Sequence, residues 1–132
     1  MASQNAMKNY LCQRVLELKR KVIDGQLDYP SIMVACSYIN NNTVFADKSA
    51  APIHYVFHPQ LQSAMARIGT IGQSTSYSTN ALGACAEQRA ANKAINRYHR
   101  SIKDLDFTLA IRPRTMQIKP YCDNCKRIFP QL

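Results

Sequence analysis

The chain has 132 residues, 46% of them hydrophobic, and its 17 Lys and Arg against 8 Asp and Glu leave a net charge of +9. That length suits one domain, here 1–132, with a real core; it excludes two ordinary domains, and the apolar content excludes a disordered chain. The positive charge points to a polyanionic partner, nucleic acid first and an anionic membrane surface second, or to a basic surface that only maintains solubility.

In chain order, Met7, Leu11, Val15, Leu18 and Val22 recur at helical spacing, so a helix is expected over 6–24, stopped by Gly25. Its KRK run reads as a solvated helix end, with nuclear import or nucleic-acid binding as the alternative. This first segment lacks the apolar centre of a signal peptide. No apolar run approaches the ~20 residues that cross a bilayer, so no membrane partner is expected and the compartment is taken to be reducing. SIMVACSYI (31–39) reads as a buried strand, Asn40, Asn41 and Asn42 as a turn, and TVFAD (43–47) as the returning strand. IHYVF (53–57) is expected to extend it or to form a short strand, with His54 and His58 projecting from one face.

Pro59 is expected to open a short helix carrying Leu61, Met65 and Ile68. GTIGQSTSYSTNALG (69–83) has no periodicity, and a loop this long in a small domain is usually functional or mobile. From about Ala84 a helix is expected with Ala90, Ala91, Ala94, Ile95 and Tyr98 inward and Arg89, Lys93, Arg97 and Arg100 as a basic stripe. LDFTLAI (105–111) reads as the third strand, 112–121 as a basic loop, and CDNCKRIF (122–129) as a final helix. His99 reads as a solvated helix-end residue.

Five cysteines is an odd number, which argues against a disulfide framework and for metal or catalytic use of some of them. Cys12 and Cys36 fall on apolar faces and are expected to be inert core residues. A CxxC at a helix start presents two thiolates on one turn, where backbone N–H groups favour their charge. Cys122 and Cys125 fit that pattern, and Cys85, at another helix start, is the best-placed third ligand for a zinc ion with one open position. Glu87, two residues after Cys85, suits a carboxylate that moves protons near the metal without binding it. A redox pair or a structural zinc site is the bland reading of the same cysteines.

The Cys-Ala-Glu of GACAEQRAANKAI, followed by an alanine-rich helix, a strand, Pro and the CxxC of KPYCDNCKRIF, resembles the zinc-dependent cytidine deaminase-like superfamily. FHPQLQSAM before the loop looks most like the bacterial toxin-type, YwqJ-like deaminases. The resemblance spans roughly residues 31–129, and its specific motifs lie in 83–95 and 119–129. It implies an α/β fold, a compact cytidine deaminase-like mixed sheet flanked by helices. It also implies Zn²⁺ held by Cys85, Cys122 and Cys125, and Glu87 as general acid and base. The implied reaction is hydrolytic deamination of a nucleobase, cytosine to uracil in single-stranded DNA or RNA. Arg89 would then offset the thiolate charge.

Backbone contacts to nucleic acid are expected from Arg89, Lys93, Arg97, Arg100, Arg112, Arg114 and Lys119, and substrate contacts from Tyr121, Ala86, Asn42 and His58. Tyr121 stands between Pro120 and Cys122, where the family has Pro directly before Cys, and offers a ring for a base to stack on. Family members add one or two strands after the CxxC helix, whereas this chain ends at Leu132. The third strand is therefore expected as an exposed edge, covered by a second copy or another partner. The alternatives are a deaminase of free cytidine or a related nucleoside or nucleotide, and a non-catalytic zinc-binding interaction module. The location that follows is the cytoplasm, or a target cell's cytoplasm if the chain is a toxin domain.

Overall fold

The structure is a computed structural model and describes residues 3–26 and 28–132. Helix α1 runs Gln4–Ile23. It begins where Ser3 Oγ accepts from the Ala6 N–H at 3.0 Å, satisfying one of the amides a helix start leaves open. It ends before Gly25, whose φ of +72° is a left-handed conformation that costs glycine little. Met7, Leu11 and Val15 are buried as expected, and Leu18 and Val22 are half-buried. Cys12 is exposed and not in the core. One residue past Leu11 is about 100° further round the helix, enough to leave the apolar stripe.

Strands β1, Met33–Tyr38, and β2, Phe45–Lys48, form the expected antiparallel hairpin. Every residue of β1 is buried because its alternate side chains meet two layers. Met33 and Ala35 pack with Met7, Leu11 and Val15 of α1. Val34, Cys36 and Tyr38 face helices α2, Pro59–Ala66, and α3, Ala86–Tyr98, through Leu61, Met65, Ala90, Ala91, Ala94 and Ile95. A strand covered on both sides has no solvent positions, which explains its uninterrupted apolar run.

Three expectations are corrected. Residues 53–57 form no strand: Tyr55 N–H turns back to Pro52 O, and His54 takes a positive φ of 56°. The segment is held instead by the Asn92 side chain, whose Oδ1 accepts from His58 N–H at 2.7 Å and whose Nδ2 donates to Val56 O at 3.0 Å. The third strand is split into β3, Leu105–Phe107, and β4, Ala110–Arg112. Between the pairs Cys36–Phe107 and Met33–Ile111, β1 advances three residues and its partner four. The extra residue is a bulge, where Ala35 N–H donates to the Thr108 hydroxyl at 3.0 Å. Finally, the expected loop 112–121 contains β5, Gln117–Lys119, paired with β4.

The sheet order is β2-β1-β4-β5, with β3 also on β1. All its pairings are antiparallel. The protein is therefore mixed α/β in content, but its sheet among the described residues is small, open and antiparallel, not the mixed sheet expected. Helix α1 covers one face; α2, α3 and α4, Asp123–Ile128, cover the other. The third strand's edge is better protected than its position suggests. Strand β5 covers β4, and side chains cap the outward carbonyls beyond it. Gln131 Nε2 donates to Leu105 O at 3.0 Å, Gln4 Nε2 to Phe107 O at 3.0 Å, and Tyr121 Oη to Thr108 O at 2.8 Å. Occupied carbonyls leave an added strand little to bond to. Among the described residues no helix is long and apolar enough to cross a membrane.

Candidate metal centre

Cys85 is the N-cap of α3 and Cys122 the N-cap of α4. Neither thiol caps its own helix, so both sulfurs are free to turn toward each other, at 3.2 Å. Cys125, one turn into α4 and fully buried, completes the group, and the three sulfurs all lie within 4.8 Å of one another. A tetrahedral ion with Zn–S bonds near 2.3 Å separates its sulfurs by about 3.8 Å. The span and the soft donors fit, so Cys85, Cys122 and Cys125 can hold a metal ion.

The sulfurs act strongly on one another. Hydrogen bonds from Cys125 and Cys85 pull the Cys122 thiol far below its ordinary range. Its bond to Cys122 pushes Cys85 up, and the same partner pushes Cys125 up. Gln88, also buried, donates from Nε2 to Cys125 Sγ at 3.5 Å while its Oε1 accepts from Gly83 N–H at 2.6 Å. Glu87 is 4% exposed, and Cys125 Sγ donates to its Oε2 at 3.5 Å. Burial, first of all, raises the Glu87 carboxyl above the usual carboxylate range, as suits a group that takes up and releases protons.

Loop 69–83 is built onto this centre. Leu82 N–H bonds to Gln73 O, and Gly72 N–H to Leu82 O. Thr75 Oγ1 donates to Asn124 Oδ1 at 2.5 Å, and Asn124 Nδ2 to Asn80 O at 3.1 Å. The loop therefore grips the CxxC helix through the Asn between its two cysteines. At its end Gly83 has a φ of +92°, and a Cβ there would lie 3.1–3.2 Å from Phe57, Ile71 and Pro52. Gly83→Ala is expected to lower stability by about 2–4 kcal/mol through backbone strain and crowding together. The check is the urea midpoint at unchanged slope; a midpoint equal to wild type would show that this junction is not packed as described.

Cys85, Ala86, Glu87 and Cys122 line one cleft of about 340 Å³, together with Ser31, Ser49, Asn80, Arg112, Lys119 and Pro120 among others. No family model, curated protein or solved structure matches the chain. The functional reading therefore rests on the chemistry of this cleft.

Several candidates lie elsewhere. Tyr121 points its hydroxyl at Thr108 and lines the far side of β3 with Leu132. Its neighbour Pro120 lines the cleft and Tyr121 does not, because the chain has left β5 after Lys119 and turns toward α4 there. His58 is the N-cap of α2, its Nδ1 accepting from Gln60 N–H at 3.1 Å. Asn42 is exposed in the hairpin turn and is not among the cleft residues.

The helical stripe is engaged locally. The Arg89 guanidinium lies 4.0 Å from the Tyr55 ring centre, with Nε and Nη1 buried and unpartnered. It is not among the main influences on the thiols; besides the other two sulfurs, the Cys125 N–H and the Asn80 side chain are what favour the Cys122 thiolate. Lys93 pairs with Asp47 at 3.6 Å, Arg97 lies over Tyr98, and Arg100 donates to Ile39 O. Arg114 reaches Asp28 at 3.9 Å. Gln88, Asn80, Asn124, Ser31 and Ser49 were not foreseen. Only Asn124 had a signal, its place inside the CxxC.

Proposed function

We propose that the protein is a zinc-dependent hydrolytic deaminase of a nucleobase, with a cytidine deaminase-like site, acting on cytosine in single-stranded nucleic acid. The observation that carries this reading is the three-cysteine group with Glu87 beside Cys125 in a cleft of about 340 Å³. A structural zinc site is closed by four protein ligands; this one offers three and opens on a cleft. Zinc held by Cys85, Cys122 and Cys125 supplies the Lewis acidity that makes water nucleophilic near neutral pH.

Glu87 does the proton work. Its Oε2 takes a proton from the attacking water and gives it to the ring nitrogen, then carries the adduct's hydroxyl proton to the departing amine. Water thus adds at the amine-bearing carbon, ammonia leaves and a carbonyl forms. Burial lets Glu87 hold a proton longer than an exposed carboxylate does, so it serves in both directions. A cleft of about 340 Å³ has room for a single base and not a duplex, so the target must be unpaired. The net charge of +9 supports a nucleic-acid strand as its carrier. Free thiols throughout the described residues are consistent with work in a reducing compartment such as the cytoplasm.

The test is to incubate zinc-loaded protein with mixed-sequence single-stranded DNA and RNA and to sequence the products. C-to-U changes are expected in at least one polymer. Turnover of free cytidine alone would shift the substrate to nucleosides. Bound zinc with no deamination of any of these would leave a zinc-stabilised binding module.

A further inference from the structure

Strand register places two cations together at the rim of the cleft. Ala110 is opposite Lys119 and Arg112 is opposite Gln117. Residues two apart on a strand share a face, so Ala110, Arg112 and Lys119 stand on one side of the β4–β5 hairpin. All three line the cleft. Arg112 and Lys119 are diagonal neighbours, about 7–8 Å apart at their backbones, within mutual reach of two long side chains.

Neither cation has a side-chain hydrogen bond or ion pair among the described residues, while nearby Arg114 and Lys93 are paired with Asp28 and Asp47. Among the described residues the one carboxylate lining the cleft is Glu87, which is buried. Two like charges held close without a counter-charge repel, and an anion between them removes that repulsion. The guanidinium fork suits two phosphate oxygens at once, and the ammonium adds a point charge. Of the remaining polar lining, Ser31, Ser49 and Asn80 are neutral, and the thiols Cys85 and Cys122 stand where a metal ion would offset their charge.

We infer that Arg112 and Lys119 form a phosphate clamp, so that the minimal ligand of this cleft is a nucleotide and not a nucleoside. This rests on the deaminase reading of the same cleft and adds the group by which the substrate is recognised. It also narrows the expected backbone contacts to Arg112 and Lys119 and leaves out the helical stripe, whose cations are engaged with Tyr55, Asp47, Tyr98 and Ile39.

The experiment measures binding by calorimetry to zinc-loaded protein carrying Glu87→Gln, with four probes: cytidine, cytidine monophosphate, a single-cytosine oligodeoxynucleotide and inorganic phosphate. Each is repeated with Arg112→Gln or Lys119→Gln added; both changes keep the apolar stems. Lys8→Ala is the control for lost charge, and Arg112→Lys the partial rescue. The monophosphate or the oligonucleotide is expected to bind at least about 10-fold more tightly than cytidine, and each clamp variant to remove about 10-fold or more. For the oligonucleotide, each substitution should also lower the salt slope by about 1.

Clamp-dependent binding of the monophosphate alone identifies a free nucleotide as the ligand; dependence seen with the oligonucleotide identifies a strand. Cytidine bound as tightly as its phosphorylated forms, or clamp variants equal to Lys8→Ala, would overturn the inference. Clamp-dependent binding by a protein whose wild type deaminates nothing would retain the clamp and remove the enzyme reading. Deamination with a KM indifferent to Arg112→Gln and Lys119→Gln would do the reverse.

Discussion

Glu87→Gln is expected to lower kcat by about 10²- to 10⁴-fold, the range contributed by a positioned acid–base group, while metal content and substrate KM stay near wild type. The reason is geometric. Glutamine has the shape of glutamate, so the nearly closed site, 4% exposed, needs no repacking. Its amide oxygen can still accept from the Cys125 thiol before metal binds, as Glu87 Oε2 does at 3.5 Å, and its amide N–H can donate to the thiolate afterwards. What disappears is the capacity to take a proton from water and give it to the leaving amine. Metal analysis beside single-turnover kinetics separates the two effects. A variant that keeps its metal and most of its activity would remove Glu87 from the proton path. A variant that loses metal in parallel with activity would recast it as a support of Cys125.

The second large effect is on stability. Stripping metal with a chelator is expected to lower the unfolding free energy by about 4 kcal/mol, which is the linkage contribution when free metal exceeds Kd a thousandfold. For a chain of this size that is a fall in Tm of about 10–20 °C, reversed by added zinc. The physical cause is the joint between two helix starts. Cys85 on α3 and Cys122 and Cys125 on α4 are 37 to 40 residues apart in sequence. Besides the apolar core they are tied by the Cys85–Cys122 contact at 3.2 Å, by the weak contacts of Gln88 and Glu87 with Cys125 at 3.5 Å, and by Asn124's bonds to the loop. Cys125→Ser should give the same loss without chelator, because the hydroxyl that replaces the buried thiol is a poorer donor to a soft ion. Unchanged Tm after verified metal removal would mean that the helices hold each other without it.

Much of this protein is written in local pattern. The stripe Met7, Leu11, Val15 requires a helix in any context, and the run 31–39 between Pro30 and three asparagines is buried whatever covers it. Cys85–Ala–Glu87 and Cys122–x–x–Cys125 each set side chains within one helical turn. Their chemistry, two thiols here and a thiol with a carboxylate there, is therefore legible without a fold. The alanines of α3 likewise announce a helix that packs closely.

Other features depend on partners far along the chain, and these were settled by tertiary structure alone. The convergence of the three sulfurs requires α3 and α4 to start side by side on one sheet face, gripped by loop 69–83 through Thr75, Asn80 and Asn124. Residues 53–57 carry strand-like side chains, yet Asn92 on α3 supplies the hydrogen bonds a neighbouring strand would have made. Strands β4 and β5, of three residues each, are too short to show a period, so the sequence pattern suggests a basic loop where a hairpin stands. Which cations remain free was hidden for the same reason. Arg89, Lys93 and Arg97 look like a binding stripe in sequence, but Tyr55, Asp47 and Tyr98 lie beside them in space. Arg112 and Lys119, seven positions apart in sequence, meet at the cleft only because Ala110 pairs with Lys119. Helical spacing is a property of one segment; pairing register and charge neutralisation are properties of two, and no single segment records them.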